Sequence, residues 1–508
     1  MDTVTVLVVV LLALAPLPLL PVFLGNASRA PFLKVQLTLG SMWIAWISLA
    51  VVLGFTSSVL VYGLASLVSI AVVFFSWRGR ESYGRSRGLP KGSLSLSQSL
   101  LAIVDRDYYS KAADRYGPVF KMTQFHQATV CVLGLERGHN LFREHRESFG
   151  PVSQPFTRSV AGGFLRYMET ETHAVYAGLF SRALSRPTLN KAAADIEVLC
   201  KEAMDAMANA CSVSETSGVS PRGYCEQVSY DAFVRVLFGL KPGTPAYEEM
   251  KAAYSGLDTF NIGSRVDGAT EKSLERLRSF LNGHAASLID NPASSTVCTL
   301  SELHRLDATM PDRVCVDNLL FILKISTANV ASLLLWLFKM LGAHPEWMRR
   351  IVEAGRNGDE DDRLAVIDSV VKEVLRLAQS EYLYRKLLED VEFEGMTLPK
   401  GWLVRLCVRE SHRSEAVFEN ATTFDPDRFL RKKSVVTEYA PFGYGAHGCN
   451  GIGMNDMICR AFLQTLASGF DWRITQDGPL ERGFRHWSHW QPSSALRIQM
   501  QVSELPTQ

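Results

Sequence analysis

The sequence predicts a mostly α-helical chain with a minor β component (α+β), carried behind N-terminal transmembrane helices. Three observations lead there. Apolar residues recur at three- and four-residue spacing over several long stretches. Only a few short segments have strand character, and they come from distant parts of the chain. The N-terminus holds two long apolar stretches without a charge between their ends.

The first of these, residues 3–24, is long enough to cross a bilayer. The second runs from Leu37 to Trp77, about twice the length one crossing needs. The segment GFTSS at 54–58 is its natural turn, so the expected spans are about 3–24, 38–55 and 58–77. Basic residues flank the second stretch on both sides, Arg29 and Lys34 before it and Arg78, Arg80, Arg85, Arg87 and Lys91 after it. If both groups stay on the cytoplasmic side, the stretch between them crosses an even number of times. Residues 1–77 then form a three-span anchor with a lumenal N-terminus, 78–95 a basic linker, and 96–508 a cytosolic domain. The sequon Asn26-Ala27-Ser28 would escape glycosylation under that topology. A cleaved signal peptide followed by one anchor is the alternative; the apolar run is long for it, and no small-residue cleavage site follows.

A length of 508 residues exceeds one simple core. The net charge of +1 gives no bulk attraction to nucleic acid. Nine cysteines stand singly, without a Cys-x-x-Cys pair or clustered Cys/His spacing, which argues against a disulfide framework and against a zinc site.

Beyond the linker, VFKM at 119–122 and ATVCVL at 128–133 read as strands. Residues 188–210 and 271–289 follow as amphipathic helices. Residues 316–341 are apolar on nearly every face, with Lys324 the one charge in the middle. Such a helix is either a fourth span or the central helix of a soluble core. The polar run Ser326, Thr327 and Asn329 favours the core. HPEWMRR at 344–350 restarts a helix, and VEFEGMTLP at 391–399 and WLVRLCV at 402–408 return to β structure.

Near the C-terminus, PFGYGAHGCNG at 441–451 places one cysteine, Cys449, in a loop nearly bare of side chains. Met454, Met457, Ile458, Ala461, Phe462 and Leu466 then mark one face of a helix. Cys449 therefore sits just before a helix N-terminus, where backbone N–H groups and the positive dipole end favour a thiolate. Glycines 443, 445 and 448 let the backbone approach something flat and bulky. A thiolate so placed is a nucleophile or a metal ligand.

The loop resembles the haem-binding loop of the cytochrome P450 family, with Phe442, Gly445, His447, Cys449 and Gly451 at the family's positions. Further marks follow the family order. EVLR supplies Glu373 and Arg376 of the Glu-x-x-Arg helix, residues 384–401 look like the hairpin after it, and FDPDRF at 424–429, preceded by His412-Arg413, matches the segment before the loop. The resemblance covers residues from about 90 to the end and is most specific beyond residue 360.

It implies a P450-like fold, haem b with Cys449 as axial ligand of the iron, and electrons from NADPH through a P450 reductase. It also implies endoplasmic reticulum anchoring with a cytosolic catalytic domain. The expected activity is monooxygenation of a lipophilic small molecule, such as a secondary metabolite, with no nucleic-acid partner. Glu373, Arg376 and Arg428 become a buried structural network, and Arg385 and His447 take the positions of haem-propionate contacts. His447 stands where arginine is usual and is a weaker partner; a surface role is the alternative for Arg385.

Departures stand out on the central helix. The window that in the family carries an acid followed by threonine falls on Ile325, Ser326, Thr327, Ala328 and Asn329. Ala328 replaces the acid and Asn329 the alcohol of the family's proton relay, and an amide does not pass a proton readily. The helix around His173 lacks an arginine at Ala177, and Asn450 replaces a small apolar residue. Two activities stay open: a monooxygenase drawing protons through Thr327, water or the substrate's hydroxyl, and a haem-thiolate isomerase or dehydratase that rearranges an oxygenated substrate without O2 activation. A haem-binding membrane protein without catalysis is a third.

Overall fold

The computed structural model describes residues 88–94, 96–124, 127–152, 164–165, 168–213, 218–255, 268–290, 296–356, 359–379, 383–445, 447–482 and 490–503. The three expected spans and the linker up to residue 87 lie outside the described residues. The chain divides into two compact units, one of residues up to 152 with 382–411, the other of 153–381 with 412–508.

The first unit is built on a six-stranded sheet. Its strands are β1 (Lys91–Ser93), β2 (Val119–Gln124), β3 (Gln127–Val132), β4 (Phe149–Gly150), β5 (Leu383–Leu387) and β8 (Leu403–Leu406), in the order β1-β2-β3-β8-β5-β4. The two early segments predicted as strands form the β2–β3 hairpin, with Val119 opposite Val132. β3 then pairs in parallel with β8, Thr129 beside Leu403, which is how distant parts of the chain share one sheet. β3 is buried from Ala128 to Val132. A strand covered on both faces reads as an apolar run and not as alternation. A separate hairpin joins β6 (Val391–Phe393) to β7 (Met396–Leu398). Glu394 and Gly395 at its turn both have positive φ, 49° and 72°. A two-residue turn needs that geometry to match the strands' right-handed twist, and the Gly395 position tolerates it at no steric cost.

The second unit is helical around one long element, Asp312–Ala343. Among the described residues it is the one helix long and apolar enough to cross a membrane. Val330 to Phe338 is buried without a break, covered by neighbouring helices of the unit. The helix is therefore the core element and not a fourth span. A hydrophobic stripe is unnecessary when every side is packed, which explains its apolar composition all round. Its N-terminal half is pinned by charge. Arg278, on the helix Gly268–Asp290, makes a two-pronged pair with buried Asp317 at 2.7 and 2.8 Å. Asn318 Oδ1 accepts the Leu165 N–H, and Phe164 stacks on Phe321 at 4.0 Å.

The helix predicted over 188–210 is two helices, Arg186–Asn190 and Ala193–Val213, with a turn at 191–192. The remaining predicted elements hold: helices at Gly268–Asp290, Pro345–Arg356 and Ile452–Gly469 all lie where the periodicity puts them. Two small antiparallel pairs complete the unit, β9 (Phe470–Gln476) with β12 (Arg497–Val502) and β10 (Glu481–Arg482) with β11 (Trp490–Gln491).

Candidate functional site

The loop that carries Cys449 is a succession of tight turns. Gly443 N–H donates to the Ala440 carbonyl, Gly448 N–H to the Gly445 carbonyl, and Cys449 N–H to the Phe442 carbonyl, at 3.0 to 3.1 Å. Gly443 and Gly445 take φ of +69° and +75°, a region an L side chain enters only with strain. The helix Ile452–Gly469 starts behind Gly451, and the Gly451 N–H donates to Cys449 Sγ at 3.3 Å. The cysteine thus lies at the positive end of an 18-residue helix with a donor on its sulfur.

All nine cysteines are free thiols, and Cys449 alone among them is exposed. Burial pushes the Cys200 and Cys315 thiols up to about 12, so these two stay protonated and inert. The donor set for a thiolate-bound metal is therefore Cys449. Among the described residues no cluster of His, Cys, Asp and Glu offers a competing metal site.

Beneath the loop sits a buried ion cluster. Glu373 and Arg376 are both fully buried, on the helix Glu360–Val374 and the single π turn Leu375–Gln379 that extends it. Arg376 uses all of its N–H groups. Two meet the Glu373 carboxylate at 2.7 Å each, two meet the His412 and Ala421 carbonyls at 2.6 Å each, and one meets the Thr423 carbonyl at 3.2 Å. A guanidinium has five donors, and here each has an acceptor. Glu373 also accepts from Arg428 Nε at 3.1 Å and the Asp425 N–H at 2.9 Å. The predicted trio of Glu373, Arg376 and Arg428 is brought together as one network.

Several site residues could not be placed by motif alone. His412 is fully buried; its Nε2 accepts the Ala440 N–H at 3.1 Å and its ring stacks on Tyr439. Burial, with Arg376 close by, pushes its imidazole down to about 3. Above pH 6.5 the ring is neutral folded or unfolded. Below that the unfolded chain binds a proton that the native state refuses. His412 is thus expected to remove about 1.4 kcal/mol of stability per pH unit between about pH 6 and pH 4. Denaturant unfolding of wild type and His412→Gln across that range checks this, since the variant's curve should be flatter by that slope.

His447 is half-buried, and its ring lies 3.9 Å from the ring of His173, a buried residue on the helix Thr170–Ala183. Two imidazoles therefore meet beside the loop, one of them, His447, where the family pattern has an arginine. Phe442 packs against the core of the unit. Arg385 belongs to the first unit, on β5. There its guanidinium stands 5.9 Å over the Phe142 ring, and Nη1 donates to the Tyr384 carbonyl.

The central helix changes character at the predicted window. Lys324 to Ala328 is half-exposed and Asn329 exposed, between segments that are buried on either side. Thr327 Oγ1 donates its proton to the Leu323 carbonyl at 2.7 Å, and the Thr327 carbonyl accepts from Ser229 at 2.8 Å. Lys324 stands 5.7 Å over the Tyr254 ring.

Comparison with known proteins agrees with this geometry. The sequence model described as cytochrome P450 matches residues 105–495. Abscisic acid 8'-hydroxylase 2 of Arabidopsis thaliana is 23% identical over 441 residues, covering 81% of this chain and 89% of its own. Cytochrome P450 87A3 of Oryza sativa subsp. japonica is 22% identical over 449 residues, covering 80% and 85%. The structure of a retinoic acid-bound cyanobacterial CYP120A1 superposes with a TM-score of 0.70 at 20% identity, covering 82% of this chain and all of that one. The chain belongs to the cytochrome P450 family. It is an oxidoreductase of the monooxygenase class whose cofactor is haem held through a cysteine thiolate.

Proposed function

We propose that the chain inserts one oxygen atom from O2 into a lipophilic small molecule in a step of secondary metabolism, with Cys449 as the axial ligand of haem iron. The observation that carries this reading is the exposed Cys449 thiol, alone among nine, held at a helix start by the Gly451 N–H. Bound there, thiolate-ligated haem supplies oxygen activation. The relatives named as 8'-hydroxylases support hydroxylation over rearrangement.

In this reading the chain's own groups divide the remaining work. The Gly451 N–H and the helix start would stabilise negative charge on the Cys449 sulfur. Phe442, Gly445 and Gly451 would shape the loop for the porphyrin, and His447, with His173 against it, would hold a propionate; for Arg385, on the other unit, a propionate contact is what the family resemblance implies. Thr327 and Asn329 border the reaction side. Because the Thr327 hydroxyl proton is given to the Leu323 carbonyl, Thr327 offers its oxygen as an acceptor. Ala328 offers nothing, and Asn329 orients a water or a substrate hydroxyl that delivers the proton.

Electrons would come from NADPH through a P450 reductase. The N-terminal spans would hold the enzyme on the endoplasmic reticulum with the catalytic domain in the cytosol, next to substrates dissolved in the bilayer. Turnover under 18O2 with NADPH and reductase tests the reading. One labelled oxygen per product and full dependence on reductase are expected. Product formed without reductase and without label would instead establish the isomerase or dehydratase activity.

A further inference from the structure

We infer that His412 is the positioning residue through which the buried Glu373–Arg376–Arg428 cluster sets the register of the cysteine loop. The inference rests on Cys449 being the iron ligand.

Four contacts in series make the connection. Arg376 Nη1 donates to the His412 carbonyl at 2.6 Å, which fixes the backbone of His412 on the cluster. The Ala440 N–H donates to His412 Nε2 at 3.1 Å. Ala440 in turn accepts the Gly443 N–H through its carbonyl, and Phe442, between them, accepts the Cys449 N–H at 3.0 Å. A displacement at Ala440 is thereby passed to the cysteine backbone across two short turns. The ring is also clamped. It stacks on Tyr439 with centroids 5.2 Å apart and planes 26° from parallel, and the Tyr439 O–H donates to the Lys372 carbonyl at 3.0 Å.

The hydrogen-bond inventory of the ring argues that Nε2 is the reason for a histidine here. Accepting from Ala440 leaves Nε2 without a proton, so the neutral ring carries its proton on Nδ1. Nδ1 is buried and has no hydrogen-bond partner among the described residues. A buried donor left unsatisfied is unfavourable. Phenylalanine would fill the same space and stack on Tyr439 without that penalty. What it would not do is accept from Ala440.

The test uses the full-length, haem-loaded protein and two variants. His412→Gln keeps a carbonyl acceptor, and His412→Phe keeps the ring alone. The readout is the reduced carbon-monoxide spectrum, in which thiolate ligation gives a band at about 450 nm and its loss a band at about 420 nm. His412→Phe is expected to convert from the first band to the second about tenfold or more faster than wild type. His412→Gln should stay close to wild type, with circular dichroism unchanged in both. Equal conversion rates in the two variants, whether both slow or both fast, overturn the inference. Should His412→Phe fail to accumulate, His412→Met, with only a weak thioether acceptor, replaces it with the same expectation. If wild type lacks the band at about 450 nm, or Cys449→Ala keeps it, the ligand assignment itself fails and this inference falls with it. A wild type that behaves as expected beside an unaffected His412→Phe overturns the role of His412 alone.

Discussion

Replacing Glu373 with alanine is expected to destabilise the protein by about 3–5 kcal/mol and to leave most of it unable to retain haem. Glu373 accepts four hydrogen bonds, from Arg376 twice, from Arg428 and from the Asp425 backbone. Its removal strands the Arg376 guanidinium, which is fully buried, without a counter-charge. Replacing such a pair together by apolar groups is often tolerated, whereas removing one partner is not. Arg376→Ala should fall in the same range, since it also frees the His412, Ala421 and Thr423 carbonyls at once. Denaturant unfolding with haem content measured in parallel checks both. A loss below about 1 kcal/mol in either variant would mean that the cluster does not hold the region together.

Replacing Cys449 with alanine is expected to lower turnover by a factor on the order of 10³ or more, about 4 kcal/mol of barrier. In the proposed reading Cys449 is the thiolate ligand of the iron, and the other eight cysteines are buried. Cys459, ten residues on and within the helix that follows the loop, is the control. It is fully buried, and burial holds its thiol well above the ordinary range. Cys459→Ala should cost about 1 kcal/mol of stability with turnover per haem unchanged. Turnover and haem content of the two variants side by side separate loss of a ligand from loss of packing.

How far the sequence revealed this arrangement depends on the kind of signal each residue carries. Cys449, Glu373, Arg376 and Arg428 were legible because they fall in short local patterns whose spacing survives in the fold. The central helix was legible by length and apolarity. The helix Arg222–Phe238 was not, because it is buried continuously from Val228 to Phe238 and shows no amphipathic stripe. The division of 188–210 at residues 191–192 was missed because the apolar period runs on through the turn. His412 was seen only as part of a matching segment; its contacts with Arg376, Tyr439 and Ala440 join residues 27 to 36 positions apart and leave no periodicity. The meeting of His173 with His447 is likewise a product of the fold, although His447 stands out in the sequence as a departure from the family's pattern.

The most direct measurement is the reduced carbon-monoxide difference spectrum of the full-length protein beside that of Cys449→Ala. The predicted result is a band at about 450 nm in wild type that is absent from the variant. A wild-type band at about 420 nm, or a band at about 450 nm that persists in Cys449→Ala, would contradict Cys449 as the thiolate ligand of the haem.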